Sequence, residues 1–132
     1  MSFENNSEKA KSKIKEICIA WLYDTAGLIQ GQAQENSRVD SGRTKGSFKY
    51  AVDSGARKAH VGSNYKNTIW EEFGTGQYAL EGNGRKTPWV YKDRSGNWHK
   101  TSGKRGTRAL FNAFKTLEKH AQQALKEKLK GL

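Results

Sequence analysis

The side chains that most often carry catalysis or hold metal ions are scattered in this sequence. Its histidines stand at positions 60, 99 and 120, and none forms an H-x-x-x-H pair or joins a His/Cys cluster. Zinc sites need such ligands at short, regular spacing, so we expect no metal site. The single cysteine, Cys18, lies in an apolar helical pattern. That position favours a buried, unreactive thiol, and a lone cysteine excludes an internal disulfide.

Three other patterns resemble active-site motifs only superficially. Ser41 lacks the G-x-S-x-G surroundings of a hydrolase nucleophile. Glu71 and Glu72 are adjacent, so on a helix they point in different directions and do not form a simple acid–base pair. Residues 82–86, G-N-G-R-K, lack the spacing and the following helix of a phosphate-binding loop. We therefore predict no catalytic residue and no cofactor, and rank an enzyme third among the functions considered.

A basic, aromatic stretch over residues 82–108 is the stronger functional candidate. Lysine and arginine are interleaved there with Trp89, Tyr91 and Trp98, whereas Asp93 is the single acid. Cations can follow phosphates while aromatic rings stack on bases, so nucleic-acid binding is one interpretation. A glycine-rich arm that becomes ordered on an acidic neighbouring subunit is another. The third is a rigid ribbon whose aromatics pack within the main sheet and whose charges are solvated.

Length and charge limit the class of protein. A chain of 132 residues has the size of one domain, and we expect an ordered core over about 7–130 with a basic hairpin arm at 82–106. The formal net charge of +11 attracts nucleic acid, anionic membranes or acidic proteins. The N-terminus lacks a secretory pattern, and no apolar run approaches the ~20 residues that span a bilayer. We expect a soluble protein made in the cytoplasm, without a membrane partner.

The N-terminal third predicts one long helix over residues 7–35. Its apolar residues follow the i, i+3, i+4, i+7 spacing of a buried stripe. The stripe comprises Ile14, Ile17, Cys18, Trp21, Leu22, Leu28 and Ile29. Asn5 and Glu8 form a plausible capping pair before it. Because glycine weakens helices, Gly27 and Gly31 predict a kink, a close backbone contact or an earlier end.

The C-terminal region predicts a second helix over residues 107–129, with Gly131 as its stop. Its stripe comprises Leu110, Phe114, Leu117, Ala121, Ala124 and Leu125. We expect Trp21 of the first helix and Leu117 of the second to be buried against a sheet or against each other.

The region between the helices predicts strands. Alternating residues favour a hairpin of strands 47–53 and 57–62, and a second hairpin pairs 89–91 with 98–100. Residues 69–74 predict a short helical turn that ends at a glycine. We therefore predict an α+β fold with one antiparallel sheet of about four to five strands and a protruding basic hairpin. The C-terminal helix is expected to pack on that sheet.

Three motifs, in order, resemble a known family. They are V-D-S-G at 39–42, V-G-S-N at 61–64 and W-E-E-F-G-T-G at 70–76. Together with the two helices and the aromatic hairpin, they resemble the small tail-completion or head–tail joining proteins of long-tailed bacteriophages and prophages. Two positions depart from that family's pattern. Thr44 replaces an apolar residue, and K-R-G-T-R-A-L-F at 104–111 replaces an R-P-F-L-x-P-A segment before the last helix.

The resemblance implies a virion component of the neck or tail top that works as a ring around the tail axis, with no turnover. Its partners would be other copies of itself and the tail tube, tail terminator and head-completion proteins, while DNA contact is possible but not favoured. Glycine loops and aromatic anchors such as Trp70 and Phe73 suit these interfaces. The alternative is that both aromatics belong to the core, and for Phe73 this is the favoured interpretation. The interface candidates are Val39, Asp40, Gly42, Arg43, Trp70, Phe73, Gly74, Thr75, Gly76, Arg85, Lys86, Trp89, Tyr91 and Trp98. A basic nucleic-acid-binding protein is the alternative.

Overall fold

Two long helices and two β-hairpins make up an α+β fold in a computed structural model that describes residues 6–38 and 42–132. The predicted helices, hairpins and short central helix are all confirmed, with bounds within about two residues of those expected. In chain order the elements are α1 (Ser7–Asn36), α2 (Arg43–Ser47), β1 (Phe48–Asp53), β2 (Lys58–Ser63), α3 (Asn67–Phe73), β3 (Trp89–Lys92), β4 (Trp98–Thr101) and α4 (Ala109–Lys130). A single 3₁₀ turn, Gly76–Tyr78, follows α3.

Helices α1 and α4 pack along each other through small residues. The buried positions on the two helices are Ala26, Ala33, Ala109, Ala113 and Ala121. Alanine side chains let two helices approach closely, because little volume separates the backbones. Polar groups join the helices near both ends of the contact: the Trp21 indole donates to the Ala121 carbonyl at 2.7 Å, and Asn36 Nδ2 donates to the Ala109 carbonyl at 3.1 Å.

The predicted apolar stripes are therefore only partly buried. Ile14 and Leu28 of α1 are 41% and 51% exposed, and Phe114 of α4 is 48% exposed. Trp21 and Leu117 are half-buried, with Trp21 hydrogen-bonded to α4. Periodicity identified the correct helix faces, but the alanines occupy the centre of the contact, and larger side chains lie at its margins.

The prediction of one sheet with four to five strands is wrong, because the hairpins form two separate two-stranded sheets. Strand β1 pairs antiparallel with β2 from Phe48↔Ser63 to Asp53↔Lys58, and β3 pairs with β4 from Trp89↔Thr101 to Lys92↔Trp98. The second hairpin is held through its flanking chain instead. The Thr75 amide donates to the Lys104 carbonyl at 2.8 Å, which fastens the segment after β4 to the loop after α3.

The C-terminal helix packs mainly on α1, with smaller contacts to α3 and to Phe48 of the first hairpin, which corrects the predicted packing on a broad sheet. The first hairpin packs against α1 and contributes Phe48 to the central cluster with Ala33, Ala109 and Ala113. A two-stranded ribbon is too narrow to cover a 22-residue helix such as α4, so α1 takes that role.

Helix α1 continues through both of its glycines to Asn36. The expected close backbone contact is not seen at either glycine: at Gly27 a Cβ would lie 3.8 Å from the Tyr50 ring, an ordinary van der Waals distance, and Gly31 has open space around it. Asn5, the predicted capping residue, lies outside the described residues. Within residues 6–38 and 42–132, no helix is long and apolar enough to cross a membrane.

Candidate interaction surface

Helix α3 carries its apolar side chains outward and an acidic side chain inward. Ile69 and Trp70 are 62% and 57% exposed, and Phe73 is 39% exposed. Glu72 is only 9% exposed. This arrangement is the reverse of what a solvated helix favours, because exposed aromatic surface is disfavoured and a buried carboxylate needs partners. We call the outward side chains Ile69, Trp70 and Phe73 the α3 ridge.

Glu72 explains why α3 faces this way. Its carboxylate accepts hydrogen bonds from the backbone N–H groups of Leu110 and Phe111, at 2.8 and 3.2 Å. It therefore caps α4, whose first N–H groups would otherwise lack acceptors. Arg108, the residue before α4, places its Nε 3.7 Å from the same carboxylate. The connection of the last helix, where the sequence departs from the family it resembles, is thus made by an acid 38 positions earlier in the chain.

Glu71 holds the same helix from its other side. Its carboxylate pairs with Arg38 and with Lys104, each at 3.3 Å, and its carbonyl accepts from the Thr107 backbone at 2.6 Å. Arg38 also donates to the Arg105 carbonyl at 2.8 Å. As expected, the two adjacent acids point in different directions. Both acids attach α3 to neighbouring parts of the chain, and the apolar side chains of α3 are therefore left at the surface.

The loop after α3 is shaped by close backbone packing. Gly74 and Gly76 have φ values of +83° and +60°, and both are buried. A Cβ at Gly74 would lie 2.8–2.9 Å from backbone atoms of Tyr78, Lys104 and Gly106. These glycines are therefore required by the protein's own packing. Thr75 between them is half-buried and bonds Lys104 through both its backbone and its hydroxyl.

A cavity of about 450 Å³ lies on one side of the α3 ridge and brings predicted interface residues together. Trp70, Phe73 and the glycine loop form one wall, and the start of the basic arm forms the other. Its predicted lining residues are Trp70, Phe73, Gly74, Thr75, Gly76, Arg85 and Trp89. Arg85 lies 5.8 Å from the centre of the half-buried Trp89 ring, so the arm presents a cation and an aromatic ring beside the ridge.

The second hairpin presents two different faces. On one face Tyr91 stacks on His99 with ring centres 5.2 Å apart, and His99 bonds Asp93 at 2.7 Å. The hydrogen bond from His99, followed by that from the Asn97 backbone, holds the pKa of Asp93 below its usual value. On the other face Trp98 is 69% exposed, with the Lys92 ammonium 5.9 Å from its ring centre.

The remaining predicted residues do not line this cavity. Lys86 is exposed in the chain before β3. Gly42 has a φ of +75° and precedes α2, and Arg43 is exposed at the start of that helix, which packs beside α1 and α3. Val39 and Asp40 lie outside the described residues. Whether any of these positions contacts a partner stays a prediction.

A larger groove of about 620 Å³ lies on the other side of the ridge, and no pattern in the sequence indicated it. It runs between α1, the first hairpin, α3 and the start of α4, and most of its lining is apolar. Arg108, Phe111 and Phe114 belong to it, and Phe111 and Phe114 are 42% and 48% exposed. The apolar periodicity of α4 marked Phe114 as core. Only the neighbouring elements show that the groove stays open there.

No protein-family model, no curated protein and no solved structure matches this chain. The resemblance to phage tail-completion proteins therefore remains the prediction made from its motifs. Within the described part of the chain, no group of three or more His, Cys, Asp and Glu residues is placed to hold a metal ion. What the geometry offers chemically is an apolar ridge between two cavities, with basic residues around it.

Proposed function

We propose that this protein is a structural subunit of a bacteriophage particle, one that completes the tail or joins it to the head. The observation that carries the proposal is the α3 ridge: Ile69, Trp70 and Phe73 are exposed while Glu71 and Glu72 hold the helix in place. An apolar ridge fixed by the protein's own ion pairs and hydrogen bonds is suited to an interface with another subunit.

The ridge has enough apolar surface to contribute to assembly. A tryptophan side chain carries roughly 150–250 Å² of area, and Trp70 is 57% exposed. Covering that fraction stabilises an interface by about 2–4 kcal/mol at ~25 cal/mol per Å². Ile69 and Phe73 add to the same patch. Because a contiguous apolar patch on a protein surface marks an interaction site, repeated contact between copies in a ring is the interpretation we favour.

The motif resemblance supports the same class of function. The ridge lies within W-E-E-F-G-T-G at 70–76, one of the three motifs that resemble phage tail-completion and head–tail joining proteins. The proposed partners are further copies of the chain and the adjoining neck and tail proteins. The proposal assigns the protein no turnover and no cofactor.

Self-association tests the proposal. Sedimentation velocity over a range of protein concentrations should show an oligomer that Trp70→Ala weakens by about tenfold or more, since central aromatic anchors contribute at least ~1.4 kcal/mol. Tyr23→Ala is the matched control, because Tyr23 is an aromatic residue on α1 with a similar exposure of 48%. A chain that stays monomeric at all concentrations, alone and with its neck and tail partners, would refute the role of the ridge.

Nucleic-acid binding is the second candidate, and the exposed face of the second hairpin favours it. Val90, Lys92, Trp98 and Lys100 share that face, which combines cations with an exposed ring. A protein with several phosphate contacts loses orders of magnitude in DNA affinity between ~50 and ~200 mM salt, starting from tight binding. If the protein bound DNA only weakly, and only at low salt, the assembly function would remain the favoured one.

A further inference from the structure

The larger groove is lined by a cation, Arg108, whose hydrogen-bonding partners are incomplete. Arg108 adopts a left-handed backbone conformation with φ of +53°, which is uncommon for a residue with a side chain. Its guanidinium lies 4.0 Å from the ring centre of Phe111 and 6.0 Å from that of Phe73. These rings hold the cation in place at the wall of the groove.

The hydrogen bonding of Arg108 is incomplete. Its Nε is buried and has no hydrogen-bond acceptor among the described residues, and the nearest carboxylate oxygen, on Glu72, is 3.7 Å away. That distance is too long for a hydrogen bond. Both oxygens of Glu72 already accept backbone N–H groups, those of Leu110 and Phe111. An unmet donor of this kind costs free energy. The Arg108 side chain as a whole is 34% exposed, so a carboxylate from outside can approach the exposed part of the cation rather than the buried Nε.

The local charge is also unbalanced. Glu72 neutralises the positive end of α4 as well as Arg108, so one carboxylate serves two positive groups. Lys115 also lies near this position, 5.7 Å from the centre of the Phe111 ring, although it pairs with Glu118 at 3.8 Å. The whole chain carries +11, so an additional carboxylate is favoured both at this position and over longer distances.

We infer that the larger groove docks an apolar segment of an acidic partner protein, and that a carboxylate of that segment pairs with Arg108. The apolar lining, with Ile69, Phe111 and Phe114 exposed at its edge, takes the apolar side chains of the segment. The Arg108 cation favours a segment that also carries an acidic residue. A second copy of this chain is less suited to supply that acid, because its 24 basic residues outnumber its 13 acidic ones.

This inference deepens the proposed function, since it names the chemistry of a neighbouring protein in the assembly. It concerns the groove rather than self-association through Trp70. A failure of the groove to bind acidic peptide would therefore leave the self-association result unchanged, and the reverse also holds.

Peptide binding tests the inference on the full chain. The probes are three fluorescein-labelled helical peptides of about 20 residues, a length at which isolated helices form. Each has leucines at i, i+3, i+4 and i+7, and they differ at one position on the leucine face, which is Glu, Gln or Lys. Fluorescence anisotropy at low protein concentration, where the chain is dissociated, gives the affinities. Arg108→Gln removes the cation, and Arg94→Gln, at an exposed turn residue, makes the same change in net charge elsewhere.

The Glu peptide should bind about tenfold or more tightly than the Gln peptide, as expected for a hydrogen bond to a charged group, and the Lys peptide should bind most weakly. Arg108→Gln should abolish this preference, while Arg94→Gln should retain it. Equal binding of all three peptides, binding of none, or an equal loss in both variants would overturn the inference. If Arg108→Gln fails to fold, the order of the three peptides on the unaltered protein decides the question.

Discussion

Glu72→Ala is the substitution that should most clearly expose how this fold is held together. The Glu72 carboxylate receives the Leu110 and Phe111 backbone N–H groups at the start of α4, and it is the nearest acid to the buried Arg108 Nε. Alanine removes all of these contacts at once. The cap is lost, two N–H groups lose their acceptor, and Arg108 loses its counter-charge.

The expected loss of stability follows from these contacts. Removing a helix cap costs about 0.5–2 kcal/mol, and leaving a partly buried cation without its partner adds to that cost. We expect the free energy of unfolding to fall by about 2–4 kcal/mol in total. For a chain of 132 residues this corresponds to a decrease in Tm on the order of 10 °C. Glu72→Gln keeps one acceptor oxygen, so its free energy of unfolding should fall by about half as much.

Urea denaturation followed by circular dichroism measures the effect, at one fixed protein concentration because self-association alters apparent stability. Glu71→Ala is the matched control: it removes a neighbouring acid whose partners, Arg38 and Lys104, are partly exposed. Surface ion pairs contribute about 1 kcal/mol or less. If Glu71→Ala destabilised the protein as much as Glu72→Ala, the capping argument would be wrong.

Three further predictions concern the rest of the fold. Trp21→Phe should cost about 1 kcal/mol by losing the hydrogen bond to the Ala121 carbonyl, and Trp21→Ala about 3 kcal/mol, both measured by urea denaturation. A Trp21→Phe variant as stable as the unaltered protein would show that the hydrogen bond contributes nothing. Gly76→Ala should lower the free energy of unfolding by more than ~2 kcal/mol, because Gly76 has a φ of +60° and lies against the Ser102 backbone. Gly31→Ala should instead raise it by up to ~1 kcal/mol, because Gly31 has open space inside α1. A Gly76→Ala variant of unchanged stability would contradict the close packing at Gly76. Because the pKa of Asp93 is lowered below 3.8, mainly by His99, its contribution to the second hairpin is present above about pH 4 and is lost as the pH falls through the lowered pKa. The Asn97 amide donates to Asp93, so its NMR chemical shift should change as Asp93 becomes protonated. The Asp93→Asn variant should show no such change with pH. A shift that stays constant down to pH 2 in the unaltered protein would contradict this prediction.

The predicted basic arm at 82–106 is fastened more firmly at one end than its composition suggested. Its composition predicts fast amide exchange in the isolated protein that slows on assembly. In the structure, Thr75 and Gln77 donate to the Lys104 and Ser102 carbonyls, so the end after β4 is joined to the loop after α3. Amide hydrogen exchange should therefore be slower at this end than at the hairpin tip, Asp93–Asn97, whose hydrogen bonds lie within its own turn.

Local patterns were sufficient to locate nearly every helix and strand of this protein. The spacing of apolar residues placed α1 and α4, and alternation with a turn placed both hairpins. These features depend on residues a few positions apart, and the physical preferences that produce them are visible within one short window. The same patterns also indicated that Glu71 and Glu72 diverge, since adjacent positions on a helix cannot share a face.

Tertiary structure decided how those elements meet, and thereby which residues are available to a partner. Nothing in the sequence near Glu72 shows that it caps a helix 38 residues later, or that Arg38 holds α3 through Glu71. Trp70 and Phe73 are residue types typical of a core, yet both lie at the surface. Glu72 takes the inward position on α3 instead, because its carboxylate caps α4. Burial is a property of what packs against a side chain, and contacts between distant parts of the chain cannot be read from the residue type alone.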